Sequence, residues 1–100
     1  MNIPKKFSIG GGKIINVYNL DTINNGDTYG DYSDVKGEIR LAKKINVGDD
    51  EFVDISDEDR ERSFYHELFH CMQYLYNCEY SESMAQTFSN FMYEFMHTKQ

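Results

Sequence analysis

The stretch from Ser56 to Tyr76 constrains the fold of this chain most, because neither glycine nor proline interrupts it. Ser56 is a candidate N-cap, and the acidic residues after it suit a first turn, where the helix dipole favours negative charge. Apolar residues recur at helical spacing and predict the face that packs on the core: Phe64, Leu68, Cys71, Met72 and Leu75. The opposite stripe is polar and consists of Arg62, His66, His70, Gln73 and Asn77. We therefore predict an α-helix over about residues 57–77.

A second helix is predicted after a short turn at Asn77–Tyr80, over about residues 81–97. Its predicted buried face consists of Met84, Ala85, Phe88, Phe91, Met92 and Phe95. Its polar stripe consists of Glu82, Gln86, Ser89, Tyr93 and His97. The two helices together are expected to form one packed unit.

The first half of the chain carries strand and turn signals. Residues 7–18 are typical of a β-hairpin around the glycine turn Gly10–Gly12. Gly37–Ala42 alternates polar and apolar residues, as a half-buried strand does. Between them, residues 21–36 are polar and predict a loop with a short strand near Tyr29–Tyr32.

These segments predict an α+β fold. A small antiparallel sheet, made of the N-terminal hairpin and a strand near residues 37–45, is expected to pack on the helices near residues 57–77 and 81–97. A chain of 100 residues is long enough for one small domain and no more. We therefore expect residues 1–100 to form a single compact domain.

The net charge of the chain limits the classes of molecule that we expect it to bind. Ten basic and 17 acidic residues give a net charge of −7 at pH 7, and a surface of that sign repels nucleic-acid phosphates. No apolar run approaches the ~20 residues needed to span a bilayer, and the N-terminus lacks the apolar stretch of a signal peptide. With two cysteines and no export signal, we expect reduced thiols and a soluble, cytoplasmic protein that binds neither nucleic acid nor membrane.

The sequence His66-Glu67-Leu68-Phe69-His70 is the segment that points to chemistry. Two histidines four residues apart on a helix project from one face, about one turn apart, and can hold one Zn²⁺. The glutamate beside the first histidine can take a proton from a metal-activated water. Both histidines lie opposite the apolar stripe, which favours a binding role. We predict a zinc site with His66 and His70 as ligands and Glu67 as general base.

A catalytic zinc site needs a third protein ligand. Glu82 is the best candidate, because it opens the second helix and lies on the polar stripe of that helix. The distance between Glu82 and His70 is a difficulty. If the first helix runs to Asn77, His70 lies ~10 Å along the helix axis from the turn, whereas Glu82 lies close to the turn. The helices must therefore cross steeply or the first must end early, and Glu79 is the alternative ligand.

The stretch from about Gly37 to Phe95 resembles the compact gluzincin-type zinc metallopeptidases, which include the minigluzincins and the small ImmA/IrrE-like peptidases of phages and mobile elements. In that pattern a strand precedes an acidic link, a helix with His-Glu-x-x-His and a helix that opens with Glu-x-x-Ala. The corresponding segments here are Gly37–Ala42, Asp49–Asp59, His66–His70 and Glu82–Ala85.

The resemblance implies a zinc metalloendopeptidase with one Zn²⁺ ion. His66, His70 and Glu82 would bind the metal, and Glu67 would be the general base. The implied partner is a peptide or protein substrate. It would most simply align along Gly37–Ala42 as an added β-strand, with the loop of residues 21–36 as a rim. The oxyanion of the reaction needs a donor besides the metal, and the candidates are Tyr80, Tyr93 and His97.

Two alternative hypotheses stay open. The metal could stabilise a non-catalytic interaction module, such as a phage or mobile-element regulator that binds another protein. The motif could also be accidental in a metal-free partner protein. Glu67 discriminates between the first alternative and a peptidase, because a purely structural zinc site needs no carboxylate beside its first ligand. Cys71 points toward the apolar stripe and is expected to be a core residue rather than a ligand.

Overall fold

The computed structural model describes residues 2–100 and contains six strands, two α-helices and one 3₁₀ turn. The strands are β1 (Lys6–Ser8), β2 (Ile14–Leu20), β3 (Gly30–Ser33), β4 (Glu38–Ala42), β5 (Lys44–Asn46) and β6 (Phe52–Asp54). The helices are α1 (Asp57–Leu75) and α2 (Glu82–Thr98), and the 3₁₀ turn spans Asn24–Gly26. The predicted α+β fold is therefore confirmed.

The main sheet has four strands in the order β1-β2-β4-β3, and it is mixed rather than antiparallel. β1 pairs antiparallel with β2, and β3 pairs antiparallel with β4. The two central strands, β2 and β4, run parallel, with Val17 opposite Ile39. The prediction of an antiparallel sheet was wrong in this respect, because polar–apolar alternation marks a strand without fixing its direction. The direction is set by the chain between β2 and β4, which contains β3 and returns to the starting end of the sheet.

The local strand predictions in the first half are confirmed. The hairpin pairs Phe7 with Ile15, and its turn uses three glycines at positive φ, Gly10, Gly11 and Gly12. β3 forms where a short strand was expected. The strand expected near residues 37–45 is divided into β4 and β5, and β5 pairs with β6 in a separate two-stranded sheet. The sequence analysis missed β6, because it is only three residues long and lies among acidic residues.

The first helix begins after the predicted N-cap, Ser56, and the second begins close to its predicted start, with Ser81 as its N-cap. The Ser56 hydroxyl accepts the Asp59 backbone N–H at 3.1 Å, and the Ser81 hydroxyl accepts the Met84 N–H at 3.2 Å. Such caps satisfy N–H groups that have no partner within the helix. α1 ends at Leu75, two residues before the predicted end. Within residues 2–100, neither helix combines the length and apolar character needed to cross a membrane.

The core lies between the main sheet and one face of α1. Its buried members are Ile15, Val17, Ile39, Leu41, Phe64, Tyr65 and Cys71. Phe64 and Cys71 belong to the predicted apolar stripe, whereas Met72 of that stripe is 39% exposed. The predicted polar stripe is partly buried as well, because His70 and Gln73 are covered. α1 contacts the sheet and α2 together, so a single buried face cannot describe it.

The buried face of α2 differs from the predicted one. Ala85 and Ser89 are fully buried, and Phe88, Met92, Tyr93 and Met96 pack against the core. Three residues expected inside are more than half exposed, namely Met84, Phe91 and Phe95. The small side chains of Ala85 and Ser89 allow α2 to lie close to α1, and this rotates the large apolar residues outward. Hydrophobic spacing alone gives no weight to residue size.

Glu61 of α1 is a buried carboxylate that joins both ends of the chain to the helix. It is 1% exposed. It accepts hydrogen bonds from the Tyr65 hydroxyl at 2.9 Å and the Asn2 backbone N–H at 3.2 Å, and it lies 2.8 Å from Nε2 of His97. Burial alone would raise the pKa of Glu61, but these hydrogen bonds outweigh it and hold the pKa below the ordinary value of 4.5.

This arrangement predicts an acid-sensitive contribution to stability. A carboxylate whose pKa is lower in the folded than in the unfolded chain stabilises the fold above pH 4.5, and the stabilisation is lost as the pH falls through the folded pKa. Glu61→Gln should therefore lower the free energy of unfolding by about 1–3 kcal/mol at neutral pH. The deficit should shrink in acid, as measured by urea unfolding at several pH values.

Glu58→Gln is the matched control, because Glu58 lies one turn earlier on α1 and its side chain is 54% exposed. We expect the free energy of unfolding of this variant to stay close to that of the unaltered chain at every pH. A deficit for Glu61→Gln that stays constant from neutral to acidic pH would contradict the assignment.

Candidate metal centre and cleft

The histidine motif lies in the wall of an open cleft between α1, the start of α2 and strand β3. The cleft has a volume of about 830 Å³ and is lined by His66, Glu67, His70, Tyr80 and Glu82 among others. Residues of β3, including Gly30 and Tyr32, form the opposite rim. The cleft thus lies between the two predicted helices and β3, the short strand expected within residues 21–36, a segment that was also expected to form a rim.

His66, His70 and Glu82 converge on one point in this wall. The two Nε2 atoms of the histidines are 3.1 Å apart. One carboxylate oxygen of Glu82 lies 3.1 Å from Nε2 of His66, and the other lies 2.6 Å from Nε2 of His70. One ligand atom from each residue can be chosen so that all three lie within 4.8 Å of one another. Within residues 2–100, no other group of three or more His, Cys, Asp or Glu side chains converges in this way.

The early end of α1 explains how Glu82 reaches His70. The helix stops at Leu75, and Asn77 adopts a positive φ of 55°, a left-handed conformation that reverses the chain direction after a helix. The chain then returns along α1 and begins α2 at Glu82. Glu79, the alternative ligand, is exposed, and its side chain is not part of the cluster. Of the two glutamates considered, the structure brings only Glu82 to the histidines.

Tyr80 packs directly against the cluster. Its ring is stacked on His70, with centroids 4.7 Å apart and planes 7° apart, and its hydroxyl donates a hydrogen bond to Glu82. This hydrogen bond is the main cause that lowers the pKa of Glu82, and the nearby histidines add to it. The same contact, followed by burial, raises the pKa of Tyr80. The Tyr80 ring therefore covers one side of the histidine pair.

The other two candidate donors lie away from the histidine pair. Tyr93 is stacked on His97 at 4.1 Å, and the Arg62 guanidinium lies 4.2 Å from the centre of the Tyr93 ring. His97 contacts the buried carboxylate of Glu61. Of the three side chains considered for oxyanion stabilisation, the structure brings only Tyr80 to the cluster.

Glu67 lies beside the histidines and deeper in the wall. It is 9% exposed. Burial, followed by the negative charges of Glu82 and Asp31, raises the pKa of Glu67 to about 7. Gly30 of β3 lies directly above it, since a Cβ built on Gly30 would be 3.6 Å from Cγ of Glu67. The same Cβ would lie 3.1 Å from both the Arg40 carbonyl oxygen and Cδ2 of Leu41, so a larger residue at position 30 would crowd these neighbours.

The edge of the main sheet at the cleft is β3, whereas Gly37–Ala42 was the predicted docking strand. β4 lies between β2 and β3 and has no free edge, so an added strand cannot pair with it. On β3, the Ala42 N–H donates to the Tyr29 carbonyl at 2.9 Å. Hydrogen-bonded pairs alternate along an antiparallel ladder. Gly30 and Tyr32 therefore direct their backbone N–H and C=O groups away from β4.

Two glutamines contact the outer nitrogens of the histidine rings. Oε1 of Gln73 lies 2.9 Å from Nδ1 of His70, and Oε1 of Gln86 lies 3.3 Å from Nδ1 of His66. The sequence analysis placed both glutamines on the polar stripes of the helices but gave them no role. Their positions, three residues after His70 and four after Glu82, were the available signal, because such spacings share one helix face.

Comparison of the chain with protein-family profiles, with curated proteins and with solved structures gave no match in any of the three. The likeness to compact gluzincins thus rests on the motif and the order of elements alone. The basis for inferring a function is therefore the geometry of the cleft.

Proposed function

We propose that this chain is a zinc-dependent peptidase, with His66, His70 and Glu82 as metal ligands and Glu67 as general base. The observation that carries the proposal is the convergence of two imidazole nitrogens and one carboxylate on a single point in an open cleft. Three protein ligands and one open position are typical of catalytic zinc sites, whereas structural sites are usually closed by four protein ligands.

The donor set suits zinc in both chemistry and spacing. Imidazole nitrogen and carboxylate oxygen are ordinary zinc ligands, and two nitrogens held ~2.0–2.1 Å from one tetrahedral ion are about 3.3 Å apart. The observed separation of the two Nε2 atoms is 3.1 Å. When bound there, zinc would supply Lewis acidity, which makes a water more acidic and polarises a carbonyl group.

Glu67 and Tyr80 supply the chain's own contributions to hydrolysis. The Glu67 carboxylate lines the cleft beside both histidines, so it can accept the proton of an attacking water and pass it to the departing amine. The Tyr80 hydroxyl donates its single proton to Glu82 at the edge of the cluster, and it would have to turn away from Glu82 to donate to an oxyanion. Both groups are carried close to the ligands by the two helices and the turn between them.

The free edge of β3 is the surface that suits a peptide substrate. The outward backbone groups of Gly30 and Tyr32 can pair with an extended segment, which would add a strand to the sheet. Such a segment would run through the cleft, whose lining includes Glu67 and both histidines. The substrate we propose is an unfolded or extended stretch of a peptide or protein. Two free cysteines support a reducing, cytoplasmic location.

A non-catalytic interaction module is the second candidate, and one observation favours it. Met84, Phe91 and Phe95 leave more than half of their side chains exposed on α2, and clustered exposed apolar residues are common at protein–protein contacts. In this alternative the metal only stabilises the helix pair. Glu67 then has no function, so its substitution separates the two candidates.

The ligand assignment predicts the metal content of the purified chain. The protein should hold close to one zinc per molecule, measured by inductively coupled plasma mass spectrometry after dialysis. His66→Ala and His70→Ala should each lose the metal, and Glu82→Gln should weaken its retention by about tenfold or more. Glu79→Gln is the matched control and should retain zinc. Retention by Glu82→Gln together with loss by Glu79→Gln would move the third ligand to Glu79.

The role of Glu67 predicts that metal binding and activity can be separated. Glu67→Gln should keep its zinc but lower the cleavage of an unfolded protein substrate by at least about a hundredfold, because it removes the general base. Glu94→Gln, an exposed position on α2, should cleave normally. Cleavage at the normal rate by zinc-loaded Glu67→Gln would exclude this mechanism, and no cleavage by any variant would favour the interaction module.

A further inference from the structure

Gln73 is a buried residue of α1 whose side-chain amide is held at both ends. The residue is 5% exposed. Its Oε1 lies 2.9 Å from Nδ1 of His70, and its Nε2 donates to the backbone carbonyl of Glu79 at 2.7 Å. Its own backbone carbonyl accepts the N–H of Cys78 at 2.8 Å. Gln73 therefore touches both a proposed metal ligand and the loop that leads to α2.

These contacts fix the direction of the Gln73 amide. A backbone carbonyl can only accept a hydrogen bond, so the NH₂ end of the amide must face Glu79. The oxygen end must then face His70. Because this oxygen also can only accept, Nδ1 of His70 must carry the proton in that contact. A neutral imidazole has one ring proton, so a ring protonated at Nδ1 keeps its lone pair on Nε2 for a metal ion. Without the ion, the Glu82 carboxylate 2.6 Å from Nε2 also only accepts and competes for that proton.

The Nε2 atom freed in this way is the one directed at the cluster. It lies 3.1 Å from Nε2 of His66 and 2.6 Å from a carboxylate oxygen of Glu82. A metal ion binds a histidine nitrogen that has no proton, and the hydrogen bond made by the other nitrogen decides which one that is. The chain from Glu79 through Gln73 to His70 thus selects the nitrogen that binds the metal.

Gln86 offers a contrast at the other histidine. Its Oε1 lies 3.3 Å from Nδ1 of His66, and the residue is exposed. Among residues 2–100, this is the only hydrogen bond of the Gln86 side chain, so nothing fixes which end of its amide faces the ring. The structure therefore fixes the orientation of the His70 ring more strictly than that of the His66 ring.

We propose that Gln73 is a positioning residue, which fixes the tautomer of His70 because the Glu79 carbonyl fixes the Gln73 amide. This inference rests on the proposed function and extends it. It also couples the metal centre to the loop after α1, since Gln73 binds Cys78 and Glu79 of the loop that carries Tyr80. The Gln73 amide thus contacts Nδ1 on one side of the His70 ring, and the loop places Glu82 beside Nε2 on the other side.

Nuclear magnetic resonance of the metal-free chain tests the tautomer directly. The ¹⁵N shifts of the neutral His70 ring should show a protonated Nδ1. In Gln73→Met the proton should move to Nε2, where Glu82 can accept it. An unprotonated Nδ1 in the unaltered chain would overturn the inference, and this measurement requires no variant to fold.

Zinc affinity, measured by competition with a chromophoric chelator, tests the consequence. Gln73→Met should bind zinc about 10–100-fold more weakly. Gln73→Glu keeps an acceptor oxygen toward His70 but loses the NH₂ group that donates to the Glu79 carbonyl, so it should also bind zinc more weakly than the unaltered chain. Gln86→Met is the matched comparison and should lose clearly less than Gln73→Met. Equal affinity of Gln73→Met and the unaltered chain, or equal losses for Gln73→Met and Gln86→Met, would overturn the inference.

The two measurements distinguish failure of this inference from failure of the proposed function. If the unaltered chain binds no zinc while His70 carries its proton on Nδ1, the peptidase proposal fails and the role of Gln73 in orienting the ring stands. If the chain binds zinc while Nδ1 of His70 is unprotonated, the inference fails and the metal site stands.

Discussion

The close contact between α1 and α2 is the interaction on which the cleft depends. Ala85 and Ser89 are fully buried where α2 packs on α1, and side chains this small let two helices approach closely. One turn before Ala85, the same helix carries Glu82 to the histidines of α1. A bulkier residue at either small position would move Glu82 away from them. The site is therefore a product of helix packing as much as of the histidine motif.

Burial and charge act together in the cleft. The negative charge of Glu82 is stabilised by the Tyr80 hydroxyl and by the histidines, which lowers the pKa of Glu82. Glu67 receives no comparable support, and burial together with Glu82 raises its pKa to about 7. Two glutamates in one cleft are thus held in different environments. This is the pattern expected where one carboxylate binds a cation and the other exchanges a proton.

The features set by local sequence could be predicted, whereas those set by tertiary packing could not. Ser56 and the uninterrupted stretch after it predicted α1, and the glycine turn predicted the hairpin. The parallel pairing of β2 with β4 was missed, since strand direction depends on the path of the whole chain. Ser89 was assigned to the polar stripe, yet it is buried, because packing selected its size and not its polarity.

The candidate site followed the same division. His66, Glu67 and His70 were found because residues four apart lie on one face of a helix. Glu82 was found because it opens the second helix and lies on the polar stripe of that helix. The docking edge was placed on β4, although β3 is the free strand, because sheet order is not local information. Gln73 had no visible role until the fold brought the Glu79 carbonyl to its amide.

The central claim is that three side chains hold one zinc ion and leave one position open. X-ray absorption at the zinc edge of the loaded chain measures this directly. We expect a first shell of nitrogen and oxygen only, with two imidazoles and one carboxylate, and a remaining position that a small inhibitor such as a hydroxamate can occupy. A sulfur ligand from Cys78, which lines the same cleft, or four protein ligands that exclude the inhibitor, would contradict the account.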